Sequence, residues 1–244
     1  MQMIGRDSKL FAGLSCCFHA VSLGVLLALL SPPAQAQTQT YQTWPEVDTY
    51  ITLNQNFRLY FIATQTRENG QGTTAEIAAN LDFFFKPLFR RNKLVIYQPD
   101  QAKSRLFLLR AGYHYLPSID GPTEHRGVLE VTGRYPLKSW LLFSDRNRTE
   151  FRFINGEFSW RYRNRPSMER TVSIGSYHFT PYVRGEVYFD SNNRKWSRTS
   201  EDLGAAFPIR KHTEIEFYYE HQNDTSKSPN RQTSALGLSL NLYF

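Results

Sequence analysis

Leu236-Gly-Leu-Ser-Leu-Asn-Leu-Tyr-Phe244 closes the chain in strict alternation. Leu236, Leu238, Leu240, Leu242 and Phe244 share one parity; Gly237, Ser239, Asn241 and Tyr243 share the other. A strand turns successive side chains to opposite faces, so one face here is wholly apolar and the other small or polar. With Leu240, Leu242 and the terminal aromatic Phe244, this strand resembles the C-terminal assembly signature of bacterial outer-membrane barrels. The expected partners are therefore outer-membrane lipid and the barrel-assembly machinery, engaged through this strand.

The other end of the chain agrees. Arg6 and Lys9 precede an apolar run from Leu10 to Leu30, followed by Ala34-Gln35-Ala36. A basic start, an apolar run and an A-x-A site read as a cleaved signal peptide over 1–36, with the mature barrel over 37–244. An uncleaved membrane anchor is the alternative. Cys16 and Cys17 both lie in the apolar run, so the mature chain holds no disulfide and no thiolate metal site.

Composition narrows the class. Mean hydropathy is −0.49. The run near the start is the one stretch approaching the roughly 20 apolar residues of a membrane helix. From Trp44 onward, two-residue alternation dominates. Eleven strands are expected, from Pro45–Leu53 and Phe57–Arg67 through Glu157–Arg170 to Ser234–Phe244. Asn155-Gly156 is the strongest hairpin turn, because both residues tolerate positive φ. Membrane strands of about 9–11 residues over the mature length suggest about twelve strands, and bacterial barrels are normally even-numbered with both ends at one rim. Lys93–Gln98 is the first candidate for the twelfth, and the N-terminal stretch is another. The expected fold is all-β: a transmembrane antiparallel β-barrel in the bacterial outer membrane.

The two faces differ sharply. One carries Phe107, Leu109 and Tyr113, then Phe158 and Trp160, then Phe217 and Tyr219. The other carries Arg110, Arg126, Arg134, Arg146, Arg148, Arg152, Arg161, Arg163, Arg165, Arg184 and Arg198. Among them stand Glu130, Glu150, Glu186, Asp202, Glu214 and Glu216. A charge facing lipid at mid-depth costs about 2–4 kcal/mol, so this face must line the lumen of a closed barrel. The basic residues are 21 Arg and 8 Lys, a bias suited to partly buried, multi-donor pairing.

WPEVDTYITLNQNFRLYFIATQTREN (44–69), LDFFFKPL (81–88), SDRNRTEFRFINGEFSWRYRNRPSMER (144–170) and TPYVRGEVYFD (180–190) resemble the bacterial domain-of-unknown-function family 2490. The resemblance runs from Trp44 to Phe244, and the RNR and RYRNR blocks are its most specific parts. It implies an outer-membrane barrel and adds nothing on mechanism.

Three functions remain open to the sequence. The first is a narrow pore whose arginines pass small acidic solutes, since guanidinium groups hold carboxylates and phosphates bidentately. The second is a non-conducting structural barrel whose acids neutralise those arginines across strands. The third is a membrane-embedded lipid hydrolase, which needs Ser, His and an acid at one rim. His114, His125, His178, His212 and His221 are the available histidines, and His221 begins a loop with Asp224 and Ser226. None sits in a catalytic spacing, so no enzyme is expected. Nor is a metal site, a cofactor or a nucleic-acid partner, because the arginines face inward.

Overall fold

The computed structural model describes residues 38–87, 100–119, 121–226 and 228–244. The expected signal peptide and Lys93–Gln98 fall outside the described residues. Twelve strands follow in chain order: β1 (Thr38–Thr52), β2 (Phe57–Glu68), β3 (Gln71–Pro87), β4 (Arg105–Leu116), β5 (Glu124–Lys138), β6 (Leu141–Ile154), β7 (Glu157–Arg170), β8 (Val172–Ile174), β9 (Tyr177–Asp190), β10 (Lys195–Arg210), β11 (Thr213–Asp224) and β12 (Arg231–Tyr243). A single 3-10 turn, Gln101–Ser104, precedes β4.

Each strand pairs with the next in the chain, except that β7 pairs with β9 rather than with the short β8, and β1 pairs with β12, so the sheet closes into a barrel. Eleven strands make the ring. The short β8 continues β7: Val172 meets Phe179 in the same register that sets Glu169 against Tyr182. The eleven strands expected from alternation are these eleven.

An odd ring has a geometric consequence. Hairpin-linked strands alternate direction, so the first and eleventh strands of the ring run the same way. The seam is accordingly parallel, from Thr38 opposite Arg231 to Tyr50 opposite Tyr243. The expectation of an even ring with both ends at one rim is corrected: Thr38 lies at the rim of the 155–156 turn, and Phe244 at the other.

Two hairpins turn on Asn-Gly. Asn155 and Gly156 have φ of 52° and 83°, and so do Asn69 and Gly70. The second pair closes β2 on β3 more tightly than the break between Arg67 and Thr73 implies. Positive φ at both central residues gives the turn whose twist matches the flanking strands.

The barrel is inverted relative to a soluble one. Among the described residues that are buried, twelve are apolar and twenty-four are polar or charged. Phe61, Leu109, Leu129, Trp160, Val183, Leu203, Phe217 and Leu238 instead stand exposed on the outer face.

Candidate functional site

The two-residue period places all eleven expected arginines and all six expected acids inside the barrel. On β6 the even positions point inward, with Arg146, Arg148, Glu150 and Arg152. On β7 the odd positions do, with Arg161, Arg163 and Arg165. Adjacent strands bring these sets side by side, Arg148 opposite Arg163 and Glu150 opposite Arg161. Like charges in register are unfavourable unless a counter-charge lies between them.

Carboxylates fill that role. Glu150 is fully buried, with Arg163 at 2.9 Å, Arg126 at 3.6 Å, and Arg148 and Arg161 at 3.9 Å. Glu130 faces Arg148 at 2.8 Å, Arg110 at 3.6 Å and Arg146 at 4.0 Å. Glu186 takes Arg146 at 2.7 Å and Arg163 at 2.8 Å. Arg152 joins Glu124 and Asp190, Arg161 also reaches Asp190, Arg184 pairs with Glu216, and Arg198 with Asp224. Nine of the eleven arginines thus carry an ion pair. The exceptions are Arg134, which donates to the Ala102 carbonyl at 3.2 Å, and Arg165, which has no ion pair among the described residues.

Several lumen acids escaped the sequence reading: Glu46, Asp48, Glu76, Asp82, Glu124, Asp190 and Glu220. Asp82 shows why. It sits in Leu-Asp-Phe-Phe-Phe, where the apolar neighbours dominate the eye, yet it shares parity with the inward Ala78 and Asn80. It is fully buried and holds Arg58 and Arg110, each at 2.6 Å. Arg58 was missed in the same way.

The chain also enters its own lumen. Asp100 caps the 3-10 turn through the Ala102 N–H and binds Arg58 of β2 at 2.7 Å. Lys103 reaches Glu169 of β7 at 3.0 Å. Ala102 is 2% exposed and packs on Phe84 and Leu108. The segment is therefore pinned to the walls of β2, β5 and β7. Burial pushes the Asp100 carboxyl up, but Arg58, Lys103 and Arg134 reverse this and hold it below the usual aspartate range. Burial likewise lowers Lys103, and Glu169, Glu214 and Asp100 outweigh it, leaving the amine raised.

Beside this segment lies a cavity of about 510 Å³. Eleven acidic and ten basic side chains line it. Arg126, Arg152 and Arg161 do not: they lie in the ion-paired block toward the 155–156 rim.

His114 is fully buried between Glu76 (2.5 Å) and Asn80 (3.0 Å). His212 faces the Tyr243 carbonyl, and His178 meets Ser173 across the β8–β9 hairpin at 2.8 Å. His221 and Asp224 differ by an odd number of positions on β11 and point to opposite faces. No group of three His, Cys, Asp or Glu among the described residues is placed to hold a metal ion.

A family described as "Protein of unknown function (DUF2490)" matches residues 41–233. No curated protein shows detectable similarity to the chain. A solved structure titled "NanC porin structure in rhombohedral crystal form" is similar at a TM-score of 0.43 and 14% identity, over 71% of this chain and 78% of that one.

Proposed function

The chain belongs to the family described as "Protein of unknown function (DUF2490)", and from that premise we propose that it is an outer-membrane β-barrel whose lumen is held shut by ion pairs. What supports the membrane setting is the outer surface. Exposed aromatic and aliphatic side chains stand on the outer face of every strand of the ring, far beyond the isolated apolar patches of a soluble monomer. Trp140 sits at a rim with Lys138 and Arg170 over its ring at 5.3 and 4.6 Å, an arrangement suited to a lipid–water boundary.

One observation carries the closed lumen: nine of the eleven arginines are already bound to carboxylates. A guanidinium so engaged offers few free donors to a passing anion. The pairing also fixes side chains that an open path would leave mobile, and the Asp100–Ser104 segment occupies the lumen beside it. The salt-bridged barrel therefore stands ahead of the anion path that arginine counting suggested. The test is the conductance of refolded residues 37–244 in a planar bilayer. A silent barrel is expected; sustained anion-selective openings would refute the reading.

A further inference from the structure

The cavity wall facing the arginines has a different composition. Tyr182, Gly204, Tyr218, Gly237 and Trp44 are successive cross-strand partners on β9, β10, β11, β12 and β1. Aromatic and glycine alternate along this row for a packing reason. A Cβ on Gly237 would stand 2.0 Å from the Tyr218 ring, and one on Gly204 would stand 2.4 Å from the Tyr182 hydroxyl. Each glycine leaves the space that its neighbour's ring occupies. Tyr218 thereby leans across β12 toward Trp44, with ring centroids 6.4 Å apart and planes at 55°.

Carboxylates bracket the row on both sides. Asp202 lies opposite Glu220 one step toward the 155–156 rim. Glu216, Ser239 and Glu46 form the row one step the other way. Among the described residues, Glu216 alone of these four acids has a cation partner, Arg184 at 3.0 Å. Glu220 accepts from Gln222, and Glu46 from Ser239. Asp202 is 4% exposed, lines the cavity, and has no ion pair, and its Oδ1 has no hydrogen-bond partner. Arg184 already covers the Tyr182 ring at 3.6 Å. Among the described residues no cation covers Trp44 or Tyr218.

Two aromatic faces without a covering cation, between rows of carboxylates of which three have no cation partner among the described residues, have a definite complement. The carboxylates supply attraction at short range, and the rings stabilise a cation whose hydration is weak enough to shed. A metal ion is a poorer fit, because no three His, Cys, Asp or Glu side chains among the described residues converge on one point. We propose that this wall is a binding site for a small organic cation, an alkylammonium, seated on Trp44 and Tyr218 and held by Asp202, Glu220 and Glu46. The site takes from the preceding reading only that this face is the lumen of a barrel. It does not require that the lumen be open or shut to ions.

The test uses the refolded mature protein in detergent, titrated with tetramethylammonium chloride against sodium chloride at matched ionic strength. Calorimetry and tryptophan fluorescence are read together, because Trp44 is the tryptophan on the cavity wall. Saturable binding of tetramethylammonium, absent with sodium, is expected. Asp202→Asn and Trp44→Leu should each weaken it at least tenfold, and Arg210→Gln should leave it unchanged. Heat-modifiable gel mobility certifies folding; if Asp202→Asn fails to fold, Glu46→Gln takes its place. Equal responses to the two salts, saturation by sodium acetate instead, or full affinity in the folded carboxylate variants would each overturn the site. Bilayer conductance reports on the closed lumen separately, so the two claims fail independently.

Discussion

Replacing Glu150 by Gln removes the charge at the centre of the ion-paired block while keeping its shape. Four guanidinium groups lie within 2.9–3.9 Å of that carboxylate, which is fully buried. At an effective dielectric near 20, each such pair attracts by about 4–6 kcal/mol. Those attractions offset the cost of taking Glu150 from water and are not its net contribution. Removing one partner of a buried pair costs about 3–5 kcal/mol, because the charge left behind is uncompensated. Here each arginine keeps a second acid: Arg126 has Glu124 at 2.9 Å, Arg148 has Glu130 at 2.8 Å, Arg161 has Asp190 at 3.1 Å, and Arg163 has Glu186 at 2.8 Å. The loss should therefore fall near the lower bound, about 3 kcal/mol. Urea unfolding from lipid vesicles, followed by tryptophan fluorescence, measures it. Arg163→Gln in the Glu150→Gln background should cost less than in the wild type, with a coupling of at least about 1 kcal/mol. A Glu150→Gln loss below about 1 kcal/mol with an unchanged urea slope would refute the network account.

Other perturbations probe other parts of the barrel. Trp160→Arg places a charge on the outer face and should destabilise by up to about 2–4 kcal/mol, less if its depth is near the rim; Arg165→Gln, lacking an ion pair to lose, should stay within about 0.5 kcal/mol in the same unfolding assay. Gly237→Ala should displace the Tyr218 ring and cost about 1–3 kcal/mol by overpacking, visible as altered near-ultraviolet circular dichroism with the strand signal intact. The Asp100–Ser104 segment should be held across a wide pH window. Asp100 is depressed, so its contribution is full above the ordinary value of 3.8 and fades as pH falls through its lower folded value. Lys103 is raised, so its contribution is full below 10.5 and fades as pH rises past its folded value. Proteolysis at Lys103 should stay slow between these limits and quicken outside them; Asp100→Asn should remove the acid limb of that profile.

The faces of this barrel were legible in the sequence because they follow from a local rule. Strand side chains alternate with a period of two, so Leu236, Leu238 and Leu240 had to share one environment, and Arg161, Arg163 and Arg165 the other. All eleven ring strands could be located this way. Partnership was not legible, since it depends on register and closure. Arg163 reaches Glu186 because β7 pairs with β9 in one alignment, and a shift of one residue would reverse every face without altering the sequence pattern. The parallel seam depends on an odd number of strands, a property of the whole ring. The segment at Asp100 enters the lumen because Arg58, Arg134 and Glu169 converge there from three strands far apart in the chain. Trp44 and Tyr218 meet across Gly237 only once β1 has closed on β12. Counting arginines gave an anionic preference; pairing them with acids read from the alternation and with others revealed by burial left Asp202, Glu220 and Glu46 without a cation partner among the described residues. The sequence determined which side of the sheet each residue occupies, because alternation is local, and the tertiary structure decided which charges remain free, because neutralisation is a matter of distance across strands.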